Sequence, residues 1–110
     1  MQIKKGVKPT QTEIKKIFNR ARRILKHPGL DLLIAPSKES PGKLFVITPA
    51  RIGNAVQRNT IRRKIKELYR RENLDQKGFD FVIFVKKVGT AMSSDQLKLV
   101  ILSAINESNI

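Results

Sequence analysis

The chain has 110 residues, enough for one domain with a buried core and too few for two. Twenty-three Lys and Arg against nine Asp and Glu leave a net charge of +14, more than solubility requires, so a polyanionic partner is expected, nucleic acid ahead of an anionic membrane. With no cysteine, disulfide scaffolds and thiolate zinc sites are excluded, and no apolar run approaches the ~18 residues of a spanning helix; a cytoplasmic domain fits best.

Residues 1–9 read as a loose basic arm, with no apolar stretch that would make them a signal peptide. Helical spacing of Ile14, Ile17, Phe18 and Ala21 predicts a helix from Thr10 to about Ala21 or a few residues beyond. Thr10 and Glu13 have the form of a capping box at its start. Its other face, Lys15, Lys16, Asn19, Arg20, Arg22 and Arg23, is basic and solvated. Pro28 and Gly29 break the chain, and the apolar run Leu30 to Ala35 suits a strand ended by Pro36. Ser37 to Gly42 reads as a solvent loop between two antiparallel strands, Lys43 to Thr48 being the return strand.

From Ala55 the period changes to that of a helix. Ile61, Ile65, Leu68 and Tyr69 fall in a band of about 100° that faces the core. Lys77 and Gly78 close the following loop. Phe79 to Val85 is apolar on both faces and should be an interior strand. A last helix, capped by Ser93 or Ser94 with Asp95 or Gln96 nearby, carries the stripe Leu97, Val100, Ile101, Ala104 and Ile105. The order helix, strand, strand, helix, strand, helix predicts an α/β (α+β) two-layer sandwich, helices on a small mixed sheet, in a single domain.

On the helix from Ala55 to Arg71, the side chains of Arg58, Arg62, Lys66, Asn59, Arg70 and Arg63 project within an arc of about 140° beside the apolar band. Glu67 is the one acidic residue between Arg51 and Arg71, at the arc's edge, where it can pair locally. Guanidinium groups offer forked donors that match phosphate oxygens, and an asparagine amide can both donate to and accept from a base edge or ribose hydroxyl. Ahead of the helix, in Arg51-Ile52-Gly53-Asn54-Ala55, Gly53 is expected to permit a strained turn, Ala55 a close approach, and the first helical amides an anion.

A basic face is often only a solvated face, and for an isolated helix that reading takes roughly half the weight; the charge of the whole chain tips the balance toward binding. Phe45, Phe79, Phe81 and Phe84 read as core residues rather than base-stacking ones, and Tyr69 as a half-buried packing residue. His27 precedes Pro28 in a loop, with no second His or Cys to share a metal. No catalytic side chain is proposed: paired histidines, a cysteine nucleophile and a glycine-rich phosphate loop are all missing from the sequence.

The run Arg51-Ile52-Gly53-Asn54-Ala55-Val56-Gln57-Arg58-Asn59-Thr60-Ile61-Arg62-Arg63-Lys64-Ile65-Lys66-Glu67-Leu68 closely resembles the signature of the bacterial ribonuclease P protein component. The glycine turn, the Ala-Val pair, the Arg-Asn doublet, the basic pair and the apolar positions share one register. The resemblance implies a protein subunit that binds a catalytic RNA, which uses Mg2+ to remove the 5′ leader from precursor tRNA, with no metal held by protein side chains alone. It implies a left-handed βαβ crossover next to the arginine-rich helix, RNA contacts from Arg51, Arg58, Asn59, Arg62, Arg63 and Lys66, and a protein monomer. It also implies a leader cleft between the first helix and the sheet, with Phe18 matching an aromatic position and Ile14 standing where an aromatic is frequent. Thr60 and Ala50 replace basic residues common in the family. Together with the helical projection, the candidate RNA-binding set is Arg51, Asn54, Arg58, Asn59, Arg62, Arg63, Lys66 and Arg70. The alternatives are a ribosomal or other structural RNA-binding protein with no part in cleavage, and a dimeric DNA-binding regulator.

Overall fold

A computed structural model describes residues 11–38 and 40–108, without the side chains of Gln11, Glu13 and Ile14. The basic arm, the Thr10–Glu13 capping box and the Ile14 side chain therefore lie outside the described residues. The elements are α1 (Gln11–Arg20), β1 (Arg22–Lys26), β2 (Leu30–Pro36), β3 (Leu44–Ile47), α2 (Ala55–Arg71), β4 (Phe79–Val85) and α3 (Ser94–Glu107). The strands form one mixed sheet in the order β1-β2-β4-β3.

The first helix stops at Arg20, and Arg22 and Arg23, expected on its solvated face, open a strand instead. Ala21, Ile24 and Leu25 continue a helical spacing, so the local pattern is ambiguous. Pairing with β2 decides it: Arg22 lies opposite Ile34, Arg23 opposite Leu33 and Leu25 opposite Leu32, with a register shift between Arg23 and Leu25. This is an edge strand, and its exposed cations Arg22, Arg23 and Lys26 guard the open edge against further pairing.

The strands β2 and β3 do run in opposite directions, but they are not neighbours. β4 lies between them, antiparallel to β2 from Leu30↔Val85 to Pro36↔Phe79 and parallel to β3 from Leu44↔Phe81 to Ile47↔Phe84. The reason is burial: Phe81, Val82, Ile83 and Val85 are all buried, which only an interior strand allows. The loop after β2 has to cross two strand spacings, roughly 10 Å. Ser37 N donates to Gly78 O and Gly42 N to Asp75 O, both at 2.9 Å, tying that loop to the turn ahead of β4. Gly78 sits in that turn at φ 83°, a left-handed conformation that favours glycine. β3, α2 and β4 thus form a parallel crossover.

The helices α2 and α3 pack on one face of the sheet. Ile61, Ile65 and Leu68 of α2 and Leu97, Ile101, Ala104 and Ile105 of α3 are buried with Leu30, Leu32, Ile34, Phe81, Ile83 and Val85. This is the expected pair of layers, and both apolar stripes read from the sequence supply it. A smaller cluster on the opposite face, Ile17 of α1 with Ala35, Phe45 and Val82, adds a partial third layer that the sequence pattern did not disclose. α3 begins with a reciprocal cap, Ser93 Oγ accepting from Gln96 N at 3.1 Å and Gln96 Oε1 accepting from Ser93 N at 2.8 Å.

Candidate nucleic-acid interface

The α2 helix has 17 residues and so runs roughly 25 Å across the molecule. Asn54 is its N-cap: Oδ1 accepts from Gln57 N at 2.8 Å, while Gln57 Oε1 accepts from Asn54 N at 2.9 Å. This reciprocal box occupies one of the first helical amides expected to favour an anion, that of Gln57, and the Asn54 oxygen with it. Gly53 is not in a strained turn either, since φ 170° and ψ −179° are extended backbone. Its smallness matters for space, because a Cβ there would stand 2.5 Å from Gln57 Oε1 and press on the capping box.

Seen down α2, the basic residues divide by burial. Asn59, Arg63, Lys66 and Arg70 are exposed, whereas Arg58 and Arg62 are half-buried at the seam with the apolar band. Arg58 Nε donates to Gly53 O at 3.2 Å and so braces the turn ahead of the helix. Among the described residues, Arg62 Nε is buried without a hydrogen-bond partner. Arg51 is exposed on the short 3-10 turn Ala50–Ile52 just ahead of the helix. Among the described residues, no carboxylate pairs with Arg51, Arg58, Arg62, Arg63, Lys66 or Arg70. Glu67 turns to Arg71 instead, at 2.8 Å one turn on, so the ridge keeps its positive field. Lys64 leaves on the far flank, donating to Met92 O at 3.3 Å.

Tyr69 anchors the seam. Its hydroxyl donates to Gly42 O at 3.0 Å, and its ring meets Phe81 edge-on, centroids 5.7 Å apart. Burial, reinforced by the negative fields of Asp75 and Asp80, pushes its phenol well above the ordinary value.

The other face of the sheet holds a second surface. Here Phe18 and Leu33 are half-buried against the cluster of Ile17, Ala35, Phe45 and Val82, as is Ile47. One step further along the sheet, Phe84 stands half-exposed between Asp31 and Ile47. Sequence reading placed Phe84 in the core. Alternation within β4 in fact turns it to the side that α1 covers only in part, and no local signal distinguishes it from Phe81, which faces α2. The shelf of Leu33, Ile47 and Phe84 ends in cations: Lys86 Nζ lies 2.8 Å from Asp31 Oδ1 and donates to His27 O, with Arg23 3.9 Å from Asp31 Oδ2. His27 itself is occupied by the turn, its Nδ1 accepting from Gly29 N at 2.9 Å.

The fold therefore brings Arg58, Asn59, Arg62, Arg63, Lys66 and Arg70 onto one helix, with Arg51 and Asn54 at its entrance, and sets Phe18 apart on the opposite face of the sheet. Among the described residues, no helix is long and apolar enough to cross a membrane. The chain is similar to the ribonuclease P protein component of Petrotoga mobilis, with 31% identity over 74 residues that take in 66% of this chain and 62% of that protein. In backbone it is similar to the Staphylococcus aureus RNase P protein, with a TM-score of 0.75 at 16% identity over 91% of this chain and 92% of that one. The RNase P protein from Thermotoga maritima gives a TM-score of 0.70 at 19% identity over 88% and 93%. At such identities these two likenesses speak for the fold. The family model described as Ribonuclease P matches residues 8–107, nearly the whole chain, and the chain belongs to that family.

Proposed function

We propose that this chain is the protein subunit of ribonuclease P, a ribonucleoprotein endoribonuclease that removes the 5′ leader from precursor tRNA. The observation that carries the reading is the α2 ridge, a row of cations on a helix bearing the family's signature and, among the described residues, free of internal carboxylate partners. Such a ridge can neutralise phosphates of a structured RNA, and its forked guanidinium donors fit them in pairs. Arg51, Arg58, Asn59, Arg62, Arg63, Lys66 and Arg70 are assigned to the catalytic RNA. Asn54 contributes through its cap and through the amide nitrogen that the cap leaves over.

The shelf beside α1 is assigned to the single-stranded leader. Phe18 and Phe84 offer aromatic surface to unstacked bases, Leu33 and Ile47 an apolar floor, and Arg23, Lys26 and Lys86 positive charge for the backbone. The cleavage chemistry belongs to the RNA and the Mg2+ ions it holds. Four of the protein's nine acids face its own cations: Asp80 faces Arg20, Asp31 faces Lys86, Glu67 faces Arg71 and Glu72 faces Lys98. The protein would act as a monomeric single domain in the cytoplasm, lowering the repulsion between two RNAs and with it the demand for Mg2+.

The test is reconstitution. Purified protein added to a bacterial ribonuclease P RNA at low Mg2+ is expected to restore precursor-tRNA cleavage. No stimulation at any protein concentration, together with co-sedimentation with ribosomes, would transfer the chain to structural RNA binding.

A further inference from the structure

Among the described residues Asp80 is the one buried charged or polar side chain, 5% exposed in a strand that is otherwise apolar. A carboxylate is kept in such a place only with its oxygens satisfied. They are shared between different elements. Oδ1 accepts from Lys43 N, just ahead of β3, at 2.8 Å. Oδ2 lies 3.0 Å from Arg20 Nη2 at the last residue of α1, whose Nη1 donates at 3.1 Å to Pro36 O at the end of β2. One ion pair thus ties α1 to the ends of β2, β3 and β4.

The connection it reinforces is a single joint. Only Ala21 separates α1 from β1, and rotation about its two soft backbone dihedrals is enough to pivot the helix over the sheet. Ile17 supplies a buried apolar contact, but apolar contact is not directional. The planar guanidinium is: two donors on one rigid fork reach two acceptors on neighbouring strands, an arrangement an ammonium cannot copy. We infer that Arg20 and Asp80 are positioning residues that set the angle of α1 over the sheet, and so the width of the cleft between Phe18 and the Leu33, Ile47 and Phe84 shelf. This inference rests on reading that cleft as the leader site.

Two measurements test it. Because the chain has no cysteine, spin labels can be placed at exposed Lys16 and Lys26 through introduced cysteines. The distance distribution between them is expected to be narrow in the parent and broad in Asp80→Asn, which retains an acceptor for Lys43 N. An unchanged distribution in a variant that still melts cooperatively overturns the positioning claim, whatever the protein's function. In the reconstituted holoenzyme, Asp80→Asn and Arg20→Lys are both expected to raise KM for precursor tRNA with a full leader by roughly tenfold, the scale of a lost preorganisation. Neither should change kcat, nor KM for a substrate with a one-nucleotide leader. An equal rise for both substrates refutes a cleft effect. If Arg20→Gln raises KM while Asp80→Asn lowers it, Arg20 binds RNA directly and the inference is wrong. Failure of the parent protein to stimulate cleavage would remove the leader reading and leave the labelling result standing.

Discussion

Arg63 and Lys66 offer the cleanest perturbation of the α2 ridge. Both are exposed, and neither makes an ion pair or side-chain hydrogen bond among the described residues, so replacing them together by Ala should leave folding stability within about 0.5 kcal/mol. Arg58 and Arg62 are less suitable, because Arg58 braces Gly53 O and Arg62 is partly sunk in the seam. A side chain that neutralises one RNA phosphate contributes ~0.7 to 0.9 to the slope of log affinity against log salt. Referred to 1 M, each such slope is worth about 5- to 8-fold in affinity at 0.1 M salt, and the pair about 25- to 60-fold. The assay is a salt series of binding to ribonuclease P RNA, with the melting curve of each protein as control. The double variant should lose about 1.4 to 1.8 from the slope along with the affinity. A slope unchanged from the parent, with affinity down less than about twofold, would falsify the assignment of this face to RNA.

Arg62→Met keeps the aliphatic stem and removes a buried Nε without a partner, so it should raise stability by about 1 kcal/mol in chemical denaturation while weakening RNA binding about 5-fold. Tyr69→Phe retains the ring against Phe81 and loses the bond to Gly42 O, for a loss of about 1 kcal/mol. As the folded state holds the Tyr69 proton above the ordinary value of 10.0, that contribution is whole below pH 10 and declines as pH rises toward the folded value. Tyr69 is the only tyrosine, so its phenolate absorbance can be followed directly, and titration at the ordinary pH in the folded protein would contradict its burial. Phe84→Ala, at a half-exposed site, should scarcely alter the melt yet weaken binding of leader-bearing substrate by about 1 to 3 kcal/mol, the scale of one base–aromatic stack; equal weakening without a leader would argue against stacking there.

How far the sequence reached depended on whether a signal was local. The 3.6-residue period fixed which side of α2 is buried, since Ile61, Ile65 and Leu68 leave no other face, and the exposure of Asn59, Arg63, Lys66 and Arg70 follows from the same count. The apolar character of β4 on both sides likewise required an interior position. What stayed hidden is decided across long separations. Arg22 to Lys26 becomes a strand because β2 offers an edge, not because its residues prefer one. Phe84 and Phe81 are chemically the same, and only the placement of α1 distinguishes their surroundings. Asp80 interrupts an apolar strand with no local partner, and the one that satisfies it, Arg20, stands sixty residues away.

In the function proposed, one small sheet serves two RNA surfaces. α2 and α3 bury one face, leaving the ridge to point outward from the far side of α2; α1 covers part of the other face and leaves the shelf beside it. β4 belongs to both, sending Phe81, Ile83 and Val85 toward α2 and α3, and Asp80, Val82 and Phe84 toward the α1 side. A packed sheet of this kind does not deform gradually, so a ligand on the shelf and one on the ridge are held at a fixed separation. That separation is what the proposed bridging role requires: the protein would not have to reshape either RNA, only to keep one strand at a set distance from the other while its cations lower their mutual repulsion. The shortest joint among the described helices and strands is the single residue between α1 and β1, and the buried carboxylate of Asp80 stands where it can restrain that joint.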